Sequence, residues 1–194
     1  MRSGTCERVS SETIVSVTIG LEGTGRHEIS TGIPMYDHLL AQFAFHSGCD
    51  LEISARSLDA LAHHVIEDVA LVLGDALSRA LGERRGMARY GWCLLPMDDA
   101  LARVAVDLGG RPYSRTELGV SAQYVEELEV AMIPHFFTSI SWRAGMTVHV
   151  DLLAGSDPHH KIEACFKGFG RACAAAWAPV AGQSAAIPST KGVI

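Results

Sequence analysis

Two short stretches of this chain carry metal-binding residue types at metal-binding spacing, and they are the same stretch twice. His63-His64-Val65-Ile66-Glu67 and His159-His160-Lys161-Ile162-Glu163 both read His-His-x-x-Glu. A helix turns about 100° per residue, so residues four apart share a face and adjacent ones do not. His63 and Glu67 can therefore grip one ion while His64 points elsewhere. His159, Glu163 and His160 repeat the arrangement. The pattern is not a zinc-protease signature, which places two histidines around the glutamate on one face.

The repetition extends beyond the motif. His38 pairs with His135 and Gly48 with Gly145 at one offset. His63 with His159, Glu67 with Glu163 and Gly74 with Gly170 follow at an offset one residue shorter. Upstream, Val17-Thr18-Ile19-Gly20-Leu21 resembles Val104-Ala105-Val106-Asp107-Leu108 at a shorter spacing still. The chain is an internal duplication. It offers His38, His63, His64, Glu67, His135, His159, His160 and Glu163 as ligands. These divide into two metal ions with three histidines and one glutamate each. Imidazole plus carboxylate suits Mn, Fe, Zn or Ni. A single His-His pair often only caps a helix; two in register, with matched glutamates and upstream histidines, argue for metal.

A second group carries anion-binding types: Arg89, Arg111 and the tail Ser189-Thr190-Lys191-Gly192. Arginine meets phosphate with a planar fork, and lysine adds a point charge. Taken singly, each is an ordinary solvated charge. Glu12 begins the first strand and, by pattern alone, is a solvated strand end with no acidic partner in the second half. Asp98 and Asp99 follow Pro96-Met97 as turn acids. His46 stands opposite Arg143 in the duplication, so symmetry breaks there. His149, opposite Glu52, is structural, and His27 lies near a turn facing solvent.

The elements that position these residues follow from periodicity. Alternation over 11–22 predicts a strand, residues 22–25 a turn and 26–31 a return strand. A helix follows over about 35–47, stopped by Gly48, then a strand at 51–54 and the first motif helix over 63–81. Strands return at 92–97 and 101–108, and a polar stretch over 114–128 is left as a region that includes a strand at most. A helix opens at His135 and runs to about 143, and a strand spans 146–153. Asp157 as N-cap and Pro158 at N1 start the second motif helix, which runs to about Trp177. The fold class is α+β: a duplicated half-domain, strands with two helices per half, the helices on one face of mixed or antiparallel sheets. The repeats span about 1–91 and 92–180, with a tail over 181–194.

Composition bounds the class. The chain has 194 residues, 48% hydrophobic and 20% charged, enough for a sizeable core. A net charge of −6 gives no footprint for nucleic acid or an anionic membrane. No basic-apolar leader opens the sequence and no apolar run reaches membrane-spanning length, so a cytoplasmic protein is expected. The five cysteines lack CxxC spacing and read as reduced and buried.

These residues resemble the imidazoleglycerol-phosphate dehydratase family of histidine biosynthesis. The resemblance rests on Gly32-Ile33-Pro34 through Asp37-His38, His63-His64-x-x-Glu67-Asp68, Pro96-Met97-Asp98 and Gly110-Arg111-Pro112-Tyr113. It continues in His135-Phe136-Phe137, His159-His160-x-x-Glu163 and Pro188-Ser189-Thr190-Lys191-Gly192. It covers almost the whole chain. It implies a lyase that dehydrates imidazole glycerol phosphate to imidazole acetol phosphate. It also implies two Mn2+ per active site and a homo-oligomer, a 24-mer with sites between subunits. It assigns the eight ligands above to the metals. Arg89, Arg111, Ser189 and Lys191 fall to the phosphate, Gln42 to substrate contact, and Glu12, His46 and Asp98 to catalysis. Asp99 stands where the family usually has glutamate, and the loop from Ile53 to His63 is one residue short. The rival reading is a metal-dependent hydrolase of a small phosphorylated substrate. A third is a non-catalytic assembly whose metals only join subunits.

Overall fold

The computed structural model describes residues 1–182 and 186–194. Residues 183–185 of the expected tail lie outside the described residues.

The first sheet holds β1 (Ser3–Val9), β2 (Thr13–Gly20), β3 (His27–Ser30) and β4 (Asp50–Ser57) in the order β1-β2-β4-β3. Two features depart from the sequence reading. β1 precedes the first expected strand, because only Gly4 and Cys6 turn inward from it and no apolar alternation marks it. The expected return strand β3 does not pair with β2. It runs parallel to β4, Ile29 beside Ile53, while β4 takes the position next to β2. Parallel strands need a crossover, and α1 (Pro34–Ser47) supplies it.

The second half repeats the plan. β5 (Tyr90–Met97), β6 (Ala100–Asp107), β7 (Tyr113–Glu117) and β10 (Thr147–Ala154) form a sheet in the order β5-β6-β10-β7. β7 lies parallel to β10, with α3 (Met132–Ala144) in the crossover. The polar stretch thus contains β7 and a small hairpin, β8 (Tyr124–Val125) with β9 (Leu128–Glu129). The motif helices are α2 (Ala62–Leu81) and α4 (Pro158–Trp177).

Period-two alternation gives each sheet one apolar face. Val15, Val17 and Ile19 of β2 and Ala102, Val104 and Val106 of β6 are buried, while Ser16, Thr18, Arg103 and Asp107 face the other side. The four helices cover those faces and meet between the sheets. α2 lies on β1 and β2, α4 on β5 and β6. The helix pairs then cross between halves: α1 packs on α4, and α2 on α3. Phe43 stacks on Phe169 at 5.1 Å, and Phe136, Phe137 and Phe166 fill the centre. The matched glycines mark the crossings. A Cβ on Gly170 would lie 2.7 Å from the Phe43 carbonyl of α1, and one on Gly74 would lie 2.7 Å from Arg143 Cβ of α3.

Charged side chains lock the arrangement. Arg84 is buried and donates to the carbonyls of Leu108, Ala144 and Gly145, closing the end of α3. Asp68, beside the first motif, takes the Thr13 hydroxyl and the Arg8 guanidinium, fixing α2 to β1 and β2. The backbone N–H of Met35 at the start of α1 donates to Glu127 of the second half.

Candidate active site

The crossed helix packing decides which ligands meet. His38 of α1 does not join the motif of its own half. It meets the second motif: His38 Nε2 lies 3.1 Å and His159 Nε2 3.0 Å from Glu163 Oε2. The mirror cluster joins His135 of α3 to the first motif. His135 Nε2 lies 3.2 Å and His63 Nε2 3.4 Å from Glu67 Oε2. Each cluster therefore needs both halves.

These distances fit a shared cation. Two ligands at about 2.1 Å from one ion and at right angles are about 3.0 Å apart. In each cluster the three ligand atoms all lie within 4.8 Å of one another. His38 Nε2 and His135 Nε2 are shielded from solvent and make no hydrogen bond. A buried ring nitrogen without a partner is costly unless something binds its lone pair. Two imidazoles and a carboxylate are a donor set for Mn, Fe, Zn or Ni.

The two clusters differ in charge. Glu163 is buried, and Lys167 Nζ lies 2.8 Å from its Oε1. Burial works to raise the Glu163 pKa, but the Lys167 ammonium, with the His38 ring next, outweighs it and holds the carboxyl at about 2. Glu67 is half-exposed, and Leu71 stands where Lys167 stands in the other motif helix. Lys167 was legible as an i+4 partner of Glu163, but surface pairs of that kind are too common to single out.

His64 and His160 turn away from both clusters. Asp59 Oδ2 lies 2.5 Å from His64 Nδ1, and Asp99 Oδ1 lies 2.8 Å from His160 Nδ1. An acid also faces each Nε2. Glu12 Oε1 is 3.9 Å from that of His64, and Asp98 Oδ2 is 3.7 Å from that of His160. Glu12 thus has an acidic counterpart in the second half, correcting the sequence reading. Asp98 adopts a left-handed backbone (φ 47) at the β5–β6 turn. Asp59 carried no signal in the sequence.

On α1, Gln42 and His46 follow His38 at one-turn intervals down the helix. Burial, then the charges of Lys167 and Arg171, lower the His46 pKa and favour the neutral ring.

The phosphate candidates gather elsewhere. Arg89 grips Asp107 with two nitrogens, at 2.7 and 3.1 Å, and donates to the Pro188 carbonyl at 3.0 Å. Arg111 Nη2 lies 3.7 Å from the same Asp107. The tail folds back here: Ile194 lies against Gly110, and Ser189 Oγ accepts the Lys191 N–H. This group sits beyond the C-terminal end of α4, where the Arg89 N–H donates to the Ala176 carbonyl at 2.7 Å. His159 is in the first turn of that helix, so about 26 Å of helix separates the two groups.

The family model for imidazoleglycerol-phosphate dehydratase matches residues 31–173, a stretch that includes all eight ligand candidates. The chain belongs to the imidazoleglycerol-phosphate dehydratase family. Proteins of that name from Chlorobium phaeovibrioides and Roseobacter denitrificans are 45% and 43% identical to it. The first alignment covers 99% of this chain and 95% of the relative, the second all of both. The imidazoleglycerol-phosphate dehydratase of Staphylococcus aureus superposes with a TM-score of 0.83 at 33% identity, over 92% of this chain and 99% of that one. The Pyrococcus furiosus enzyme, solved in complex with (S)-C348, gives 0.85 at 35% identity, over 97% and 100%. The α+β fold read from the sequence is that of imidazoleglycerol-phosphate dehydratases, which are hydro-lyases of histidine biosynthesis. No helix among the described residues is long and apolar enough to cross a membrane.

Proposed function

We propose that the chain converts imidazole glycerol phosphate to imidazole acetol phosphate in a site that holds two divalent metal ions, Mn2+ by family resemblance, and is assembled from more than one copy. The observation that carries the metal reading is the pair of shielded, unbonded ring nitrogens, His38 Nε2 and His135 Nε2, each facing a carboxylate. His38, His159 and Glu163 would hold one ion, and His63, His135 and Glu67 the other. His64 and His160, directed away from these clusters, would supply the remaining nitrogens to a neighbouring copy. Divalent ions held there would supply Lewis acidity, which favours the deprotonated form of an imidazole ligand.

The chain's own groups then do the rest. Removing water from this substrate takes a proton from a weakly acidic carbon and expels a poor leaving group, so proton carriers must stand at fixed positions. Glu12 faces the Nε2 side of His64, which puts it beside whatever that histidine binds. It is the proton carrier of this reading, with His46 and Asp98 as its rivals. Arg89 and Arg111 offer guanidinium forks, and Ser189 and Lys191 a hydroxyl and an ammonium, for the phosphate. Gln42 is the substrate contact on α1. Fixing the phosphate orients the reacting carbons and contributes to the rate.

A three-carbon phosphate cannot reach across about 26 Å of helix. The phosphate group and the ions of one site therefore come from different copies, which supports a homo-oligomer. The outer face of the second sheet, with Trp92 76% and Leu94 61% exposed, offers apolar surface for such contacts. The test is incubation with imidazole glycerol phosphate. A ketone product with no inorganic phosphate is expected; inorganic phosphate would favour a hydrolase. Glu12→Gln is expected to keep its metal and lose turnover. Near-normal turnover would remove Glu12 from the proton-carrying role.

A further inference from the structure

Asp59 and Asp99 do the same thing from unrelated places. Asp59 lies in the loop before α2 and reaches back to His64 past Ala60, whose backbone is left-handed (φ 63). Asp99 lies in the β5–β6 turn and reaches across to His160. They are not copies of one another. In the alignment that sets Val17 against Val104, Asp99 falls opposite Glu12. Duplication alone did not produce two Nδ1–carboxylate pairs.

Both carboxylates divide their oxygens in the same way. Asp59 Oδ1 accepts from the Leu61 N–H at 3.0 Å and the Ser57 hydroxyl at 3.1 Å, leaving Oδ2 for the ring. Asp99 Oδ2 accepts from the N–H groups of Ser156 and Asp157 and from the Ser156 hydroxyl, leaving Oδ1 for the ring. With its other oxygen taken by N–H and hydroxyl donors, each carboxylate faces the ring as an acceptor. The proton between carboxylate and ring must then sit on Nδ1, and in the neutral ring the lone pair is on Nε2. Neither Nε2 makes a hydrogen bond among the described residues: the nearest acids, at 3.9 and 3.7 Å, are out of range.

We propose that Asp59 and Asp99 are positioning residues that fix His64 and His160 as Nδ1–H tautomers and aim each Nε2 at a metal ion outside its own chain's clusters. The proposal rests on the reading above that these histidines are ligands. A ligating imidazole whose other nitrogen is held by a carboxylate is oriented and made more basic, and loss of that partner typically costs 10–100-fold in metal affinity.

Asparagine separates this role from a structural one. In Asp59→Asn or Asp99→Asn, the amide oxygen can keep the backbone N–H groups at the helix entry. The NH2 then faces Nδ1 and donates to it, moving the ring proton to Nε2 and closing the ligating lone pair. A purely structural carboxylate would tolerate that change. The experiment strips the full-length protein with chelator and titrates Mn2+ back. Affinity is read from bound metal per chain, with helix content and thermal midpoint measured alongside. A loss of about 10–100-fold in both variants, with fold and midpoint retained, is expected. Wild-type affinity in either folded variant, or failure of both to fold, overturns the proposal. His64→Ala and His160→Ala run in parallel. If they too bind Mn2+ like wild type, the ligand reading itself fails. If they lose Mn2+ and the asparagine variants do not, only the positioning role fails.

Discussion

Asp50 begins β4, at one end of an interior strand of the first sheet, and its carboxyl is held at about 2, well below an ordinary one. The Thr24 N–H at 2.8 Å is the chief cause, with the Arg26 guanidinium at 2.9 Å next. The folded-state pKa is depressed, so the stabilisation is fully present above the ordinary value of 3.8 and is lost as pH falls through about 2. Asp50→Asn is therefore expected to lower the unfolding midpoint by a constant amount above pH 5, with the gap to wild type closing between pH 4 and 2. A gap unchanged down to pH 2 would show that the charge does no work there. The same contrast between type and environment runs through the site. The eight ligand candidates were legible because a histidine or glutamate at a fixed helical interval declares itself in any window of sequence. Asp59 did not, because its reach to His64 depends on the left-handed turn at Ala60, and no periodicity announces such a turn in alanine. Lys167 was visible only as one more surface-type charge, until the burial of Glu163 gave it a role.

At the level of elements, the crossed helices couple packing to the two histidine–carboxylate clusters. Gly170 lets α4 approach α1 closely enough for His38 to meet Glu163, and Gly74 does the same for α2 and α3. An added methyl at Gly170 would press on main-chain atoms, the Phe43 carbonyl at 2.7 Å and the Ser47 nitrogen at 3.1 Å, which cannot rotate away. Gly170→Ala is expected to cost about 1–3 kcal/mol of stability and to weaken metal retention at the His38 cluster. Gly74→Ala should do the same at the His63 cluster. Chemical denaturation and metal content per chain check both; a wild-type midpoint in Gly170→Ala would show that the helices have room. The sequence marked Gly74 and Gly170 as equivalent but not why, since the reason is the backbone of another helix. Helices and central strands were legible from strong periods. β1 was not, because its inward face is only a glycine and a cysteine, and the parallel placement of β3 depends on β4 taking the position beside β2.

For the molecule as a whole, about 26 Å along α4 separates the candidate metal ligands from the candidate phosphate donors. Arg89→Ala and His159→Ala should each be inactive alone. Co-expressed, they are expected to recover part of the activity, because some sites would draw an intact Arg89 from one chain and an intact His159 from another. A mixture as inactive as its parents would place both groups of a site in one chain. The crossing of α1 onto α4 and of α2 onto α3 also governs how the molecule is made. When Leu81 leaves the ribosome, the helices of the first repeat are complete in sequence, yet the faces of α1 and α2 that pack on α4 and α3 have nothing to cover them. His63 and Glu67 still lack His135. The partner helix α4 is finished only when Trp177 has been added, roughly 5–20 s later at ordinary rates of synthesis. For that interval the face of α1 that packs on α4 stays uncovered and His38 lacks both His159 and Glu163, and it is then that a chaperone or premature metal binding would have most to act on.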